Sequence, residues 1–414
     1  MTSSGQRSLT LALLTLIYVF NFMDRQILGV LAEPIKAELG LSDSHLGLLT
    51  GFMFAIFYTT VGVPVAWLAD RTRRTWVIAG ACTLWSGFSA ACGLATGFAT
   101  MAAARIGVAV GEAGGVAPSY SLIADLFPPE SRARALALYS LGVPIGIGIG
   151  TAAGGWIADA FGWRTAFVVV AAPGILLSVL LLVFVREPAR SKADAAATPP
   201  LGAVVGRFMR SPALMLVSLA ASLGAFACYG LMAWLSAYLI RVLGMSLTEI
   251  GSWLSITLAV GLGLGIWASG ALADRFAHRD PRMYAIIPGA ALALGAPALV
   301  FATLAESWAA ALPLFGITLG LSVFYLAPSV AAIQALALPG ERSTAGAIML
   351  LCLNLVGLGG GPVFLGVVSD WAMPAHGAGS LRVAFFALVP VFLIAAAANL
   401  AAARALGRTV TSAS

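Results

Sequence analysis

Twelve stretches of this 414-residue chain are apolar for long enough to cross a lipid bilayer: 9–32, 44–69, 75–96, 99–126, 132–158, 163–185, 211–241, 247–273, 283–304, 307–336, 342–369 and 381–404. We number them helices 1 to 12. A crossing helix needs ~20 apolar residues, because each residue advances it ~1.5 Å through a hydrocarbon core ~30 Å thick. Inside that core every backbone N–H and C=O must be paired, which a helix does within itself. Composition agrees. The chain is 60% hydrophobic and 10% charged, whereas a soluble domain carries roughly 25% charged residues. The expectation is an all-α membrane protein with twelve transmembrane helices.

Charge placement orients the bundle. With both termini cytoplasmic, the inner loops and ends hold Arg7, Arg71, Arg73, Arg74, Arg132, Arg134, Arg186, Arg190, Lys192, Arg207, Arg210, Arg275, Arg279, Arg282, Arg342, Arg404 and Arg408. The outer side holds only Lys36, Arg164, Arg241 and Arg382. Basic residues gather on the cytoplasmic side of membrane proteins. The expected topology therefore has both termini cytoplasmic, in an inner (cytoplasmic) membrane. The same bias explains the net charge of +6 as topology, with no nucleic acid as partner.

Other chemistry finds no support. The four cysteines lie in apolar helices without a CxxC pair, so neither a disulfide framework nor a zinc site is implied. Neither lysine follows a glycine, so there is no phosphate-cradling GxxxxGK loop, and the three histidines form no HExxH. The chain is expected to be no enzyme, with no metal and no cofactor.

The chain repeats itself. ALADR at 271–275 matches WLADR at 67–71, an offset of 274 − 70 = 204. Trp163-Arg164-Thr165-Ala166-Phe167 matches Leu381-Arg382-Val383-Ala384-Phe385, an offset of 382 − 164 = 218. Order is kept, so helices 1–6 and 7–12 read as parallel halves, residues 1–186 and 211–414. The polar stretch 187–210, with Pro199-Pro200, reads as a cytoplasmic linker.

This organisation resembles the major facilitator superfamily, whose fold is two parallel six-helix bundles around a midplane site. AWLADRTRR at 66–74 resembles the superfamily signature G-x-L-a-D-r-x-G-r-r, with Ala66 for the first glycine and no second one; GALADRFAHR at 270–279 keeps it better. The resemblance implies a releasable clasp made by Asp70, Arg71, Arg73 and Arg74, echoed by Asp274 and Arg275. The other reading of these residues is a solvated helix end. Within the superfamily the chain resembles Spinster-like transporters. The residues are NFMDR at 21–25, RIGVAVGEAGG at 105–115, PSYS at 118–121 and FPPESRARA at 127–135. That resemblance implies a lysophospholipid or sphingolipid-type substrate.

Four residues break the apolar pattern: Asp24 and Arg25 in helix 1, Arg105 and Glu112 in helix 4. Charge inside a membrane is costly and by default functional. At ~1.5 Å per residue, Asp24 lies ~22 Å along helix 1, with Arg105 ~9 Å and Glu112 ~20 Å from the outer end of helix 4. Low dielectric favours a neutral carboxyl and a nearby guanidinium favours a charged one, so a moving cavity can load and unload a proton. Asp24 and Glu112 are the candidates, with Arg105 as movable counter-ion. The alternative is a static ion-pair cluster.

The Arg25 fork suits a carboxylate or phosphate, with Asn21 beside it; the other reading pairs Arg25 with Glu112. The C-terminal half offers Tyr229, Trp234, Tyr325 and Asn354 in helices without mid-membrane charge. A charged wall facing an aromatic one suits an amphiphile, although aromatics also pack or face lipid. The expected activity is proton-coupled transport by alternating access, moving an amphipathic lipid-like or hydrophobic organic solute. The expected protein is a monomer whose partners are protons, its substrate and the lipid bilayer. The alternatives are a carrier of a small organic anion and a non-transporting, lipid-responsive receptor or scaffold.

Overall fold

The computed structural model describes residues 4–185, 187, 201–338 and 341–411, all helices and short connections. Among the described residues, ten continuous helical runs are long and apolar enough to cross a membrane. The last of them, Thr344–Arg408, holds two crossings, helices 11 and 12, separated by the short turn Gly377–Gly379. One further crossing, helix 4, is made of two helices too short to be counted alone, Phe98–Glu112 and Val116–Leu126. The crossings are the twelve expected from sequence.

Helix 4 is not continuous, as the apolar run 99–126 suggested. Ala113-Gly114-Gly115 forms a turn in the middle of it. Hydropathy is blind to this, because small apolar residues read alike in a helix and in a turn. Helix 10 is interrupted in the same way, with Trp308–Ser322, a 3-10 turn Val323–Tyr325, and Leu326–Leu336. The linker departs too. Its last part, Leu201–Arg210, is a helix, with Val204 and Phe208 on one buried face and Arg207 paired to Glu341 at 2.5 Å. That i, i+4 spacing is an amphipathic stripe. Most of the rest of 187–210 lies outside the described residues.

The repeat is written into the backbone. Gly40 and Gly244 end helical segments at φ 63° and φ 69°, a left-handed conformation that side chains resist. Two residues later, Ser42 and Ser246 cap the next helix with reciprocal hydrogen bonds. Single π-helical turns follow, Leu48–Phe52 and Ile250–Leu254, leading into helix 2 (Met53–Arg71) and helix 8 (Ser255–Phe276).

The chain forms two compact units. One takes residues up to 193 together with 245–259; the other takes 194–244 and 260–414. In the first, helix 1 (Ser4–Val30) lies along helix 5 (Gly142–Phe161) through the glycine face of helix 5. A Cβ on Gly150 would stand 2.7 Å from the Cα of Met23, so only glycine allows this approach. The contact sets the position of the next two residues, Asp24 and Arg25. The π-turn before helix 8 packs on the far end of helix 5, where Trp156 donates to Ser252 (3.1 Å) and Thr248 to Asp159 (2.8 Å). In the second unit, Tyr238, Phe315 and Phe385 stack together in the core.

Candidate functional site

Asp24 and Arg25 are adjacent on helix 1 and so point about 100° apart. They reach different helices. Asp24 accepts a hydrogen bond from Ser89 of helix 3 (Arg74–Cys92) at 2.8 Å. Arg25 donates Nε–H to Glu112 of helix 4 at 2.5 Å. Glu112 is the last helical residue before the turn at 113–115, so the break in helix 4 carries the carboxylate.

Around Arg25 stand three aromatic rings. Its guanidinium carbon lies 5.1 Å from the ring centre of Phe22, 4.9 Å from Phe54 and 4.6 Å from Tyr58. Phe54 serves two cations, since Arg105 lies 5.3 Å from the same ring. A contact of this kind contributes from ~0.5–1 kcal/mol at exposed sites to ~2 kcal/mol where water is excluded. Asp24, Arg105 and Glu112 are 1%, 2% and 0% exposed, whereas the Arg25 side chain keeps 19%. Arg25 is therefore the member of the cluster that open space can reach. Asn21, also buried, sits beside Glu112.

The hydrogen-bonded partner of Glu112 is Arg25, one of the two readings the sequence left open for that guanidinium, and not Arg105, the expected counter-ion. Seven residues separate Arg105 from Glu112, which is about two turns or ~10 Å along the axis, too far for a direct pair without side chains turning toward each other. Helix 1 offers a guanidinium at the right height instead. Nε and Nη1 of Arg105 and Oε1 of Glu112 are buried with no hydrogen-bond partner in the described protein. Such atoms are costly in a static core. They are the donors and acceptor that a proton, water or anion can use.

The C-terminal aromatics divide. Trp234 is 1% exposed and donates its indole N–H to the Pro362 carbonyl at 2.8 Å. Tyr325 is 3% exposed, its ring against Gly224. Both are core residues, which corrects their placement on a substrate wall; an aromatic in an apolar helix gives no sign of which way it faces. Tyr229 and Asn354 are half-buried, and Asn354 lies in the π-helical stretch Leu353–Gly360.

The expected clasp is also divided. Arg74 is 3% exposed and bound within the first unit, to Asp125 (2.6 Å), Ser121 (2.9 Å) and Glu187 (2.9 Å). It ties the ends of helices 3, 4 and 6 and is committed there. Burial raises the pKa of Glu187, but hydrogen bonds from the Arg74 side chain and the Arg74 and Thr75 amides outweigh it and hold the carboxyl below its ordinary value. Arg71 lies on the Trp67 ring at 3.9 Å, and Arg73 is exposed. Arg275 lies 5.6 Å from the Phe276 ring, and the Asp274 carbonyl faces His278. The Asp70 side chain lies outside the described residues.

Sequence reasoning missed Phe54, Tyr58 and Ser89. The i, i+4 pair of Phe54 and Tyr58 marks one helix face, but nothing in it announces a cation between the rings.

Comparisons with known proteins identify the family. The Major Facilitator Superfamily profile matches residues 14–361. A Mycolicibacterium smegmatis protein described as an MFS-type efflux pump is 36% identical over 377 residues, 91% of this chain and 87% of that one. Human protein spinster homolog 1 is 28% identical over 395 residues, 89% of this chain and 74% of the human protein. A crystal structure of a bacterial homolog to the human lysosomal transporter Spinster, inward-facing and unoccupied, superposes with a TM-score of 0.89 at 32% identity, covering 98% of both chains. The family match, the relatives and the solved structure agree with the twelve crossings: the chain belongs to the major facilitator superfamily, in its Spinster-like branch, an integral, multi-pass membrane transporter and not an enzyme.

Proposed function

We propose that this protein is a proton-coupled carrier of an amphipathic, lipid-like or hydrophobic organic solute, working by alternating access between bundles 1–186 and 211–414. The observation that carries the reading is the Arg25–Glu112 pair, with Arg25 alone of the four charges part-exposed. A guanidinium fork holds either a carboxylate or a substrate anion. Protonation of Glu112 releases the fork, which then takes an anionic headgroup. Asp24, on Ser89, is the second carboxyl of the relay, and Arg105 stabilises the charged states of both. Asn21 in the first unit and Tyr229 and Asn354 in the second are our candidates for polar contacts to a headgroup. Arg71, Arg73 and Asp70, with Asp274 and Arg275, serve the gate, and Arg74 braces it.

A groove of about 690 Å³ along helices 1 and 5 supports an apolar cargo. Leu11, Leu16, Leu138, Leu141 and Ile145 line it, and Ser131 and Arg134 stand at its end. We place the protein in a bacterial inner membrane as a monomer, with both termini cytoplasmic.

The test is transport into proteoliposomes for a series of anionic lysolipids of rising chain length. Each buried CH₂ contributes ~0.8 kcal/mol, so apparent affinity climbs with length until the groove is filled. Arg25→Ala weakens the anionic series more than a neutral one, and Arg25→Lys recovers part of the loss. Flat affinity from short to long chains sinks the amphiphile. The unpartnered N–H groups of Arg105 favour the second reading, a small organic anion; tight transport of tailless acids selects it. Absence of any proton-dependent flux selects a receptor.

A further inference from the structure

Helices 2, 3 and 4 leave a groove of about 610 Å³ on the first unit, apart from the charge cluster. Its walls are Val65 and Leu68 of helix 2, Trp76, Gly80 and Leu84 of helix 3, and Val110 of helix 4. The groove stays open because small residues stand where larger ones would close it. A Cβ on Gly80 would meet nothing within 4 Å. Gly111 and Gly114, on either side of Glu112, form part of the lining. All of these residues belong to membrane-crossing helices and nearly all are apolar, a lining that suits a hydrocarbon chain better than water.

One end of the groove is not apolar. Thr72 and Arg73 line it. Arg73 is exposed and makes no ion pair among the described residues, while its neighbour Arg74 is turned inward to Asp125 and Glu187. Trp76, 61% exposed, stands at the same end, as aromatic side chains do at headgroup depth. Arg71 on Trp67 adds a second exposed cation nearby.

We propose that this groove binds a bilayer phospholipid with an anionic headgroup, one acyl chain lying along Gly80, Leu84 and Val110 and the phosphate at Arg73. Basic mouths between transmembrane helices recognise anionic headgroups in this way. The bound chain lies against Gly111 and Gly114, so the lipid braces the break in helix 4 that carries Glu112. This lipid is a resident of the membrane and not the cargo, and the site stands whether or not the cargo is an amphiphile.

The experiment reconstitutes the full chain in vesicles of equal parts phosphatidylglycerol and phosphatidylcholine with matched acyl chains. Native mass spectrometry after extraction in mild detergent reads the lipid retained. Wild type keeps phosphatidylglycerol over phosphatidylcholine. Arg73→Gln lowers phosphatidylglycerol retention about five-fold, the factor one basic residue contributes near an anionic surface, and lowers that of phosphatidylcholine, whose phosphate is offset by its own choline, by less. Gly80→Leu, which grows into open space, lowers retention of both lipids, and so does the independent plug Leu84→Trp. Equal retention of the two lipids by wild type overturns the proposal. So does an unaltered lipid pattern in Arg73→Gln, or in either plugged variant that keeps the wild-type unfolding midpoint.

Discussion

The two halves share a backbone and differ in what they bury. At the offset of Gly40 and Gly244, 244 − 40 = 204, Asp24 falls on Cys228, Arg25 on Tyr229, Phe54 on Leu258 and Tyr58 on Leu262. Helix 4 falls on helix 10 at 322 − 112 = 210, which sets Arg105 on Phe315 and Glu112 on Ser322. The first half surrounds two guanidiniums with rings and two carboxyls. The second puts a thiol next to Ser322 and packs Phe315 against Tyr238 and Phe385. Both halves nonetheless break the same helix at the same place, 113–115 and 323–325. The break therefore belongs to the scaffold and needs no charge. The second half is a control provided by the protein itself: at the positions matching Asp24, Arg25, Arg105 and Glu112 it holds Cys228, Tyr229, Phe315 and Ser322, and its buried carboxylate, Glu341, lies at a helix end paired to Arg207. On the function proposed above, the desolvation cost of the buried charges in the first half serves transport.

The sharpest way to break that contrast is at Glu112. Glu112→Gln makes the acid permanently neutral, as its counterpart Ser322 is. Uphill transport driven by a pH gradient should fall at least ~100-fold, the lower end of the effect of a positioned proton-transfer group, while counterflow of substrate persists. Unchanged uphill transport would show that the two halves differ in charge without differing in proton work.

A smaller effect is expected on stability. Arg25→Ala leaves Glu112 buried without its partner, a loss of up to ~3–5 kcal/mol where the acid stays ionised. Glu112→Gln in the same chain should restore most of it. Thermal unfolding of both single variants and the double variant gives the coupling; strict additivity would mean that the pair is incidental to the fold.

Gly150→Leu tests the scaffold under the site. It drives helix 5 off Met23 and should cost ~1–3 kcal/mol by overpacking, while also shifting Asp24 and Arg25 and lowering transport. Full transport from a folded Gly150→Leu protein would disconnect the glycine face from the cluster.

The smallest change is predicted on the other side of the comparison. Ser322→Ala removes one hydroxyl whose hydrogen bond runs to the Leu319 carbonyl of its own helix. It should alter stability by ~1 kcal/mol or less and leave proton-driven transport at the wild-type rate. A severe transport defect here would mean that the neutral half carries coupling as well.

The legible parts and the hidden parts of the site differ in kind. Asp24, Arg25, Arg105 and Glu112 stood out because a charged side chain in an apolar run has few structural uses. Phe54, Tyr58 and Ser89 did not, because such residues are ordinary in a membrane helix. Trp234 and Tyr325 misled for the same reason: period and composition place a residue along a helix but not toward a particular neighbour. Arg74 looked like part of a free basic run, and its partners Asp125 and Glu187 lie 51 and 113 residues away.

By itself the sequence determined the number of crossings, their helical nature and the doubled chain order. Hydrocarbon leaves a backbone no alternative to the helix, and a twenty-residue apolar run is visible without any neighbour. Only the tertiary structure decided that Glu112 holds Arg25 and not Arg105, that helix 4 breaks beside it, and that Phe54 lies between two cations. Those outcomes depend on how closely helices 1, 2, 4 and 5 approach, which glycines such as Gly150 set to within an ångström. An ion pair is made or lost over such a distance, and no linear pattern of residues encodes it.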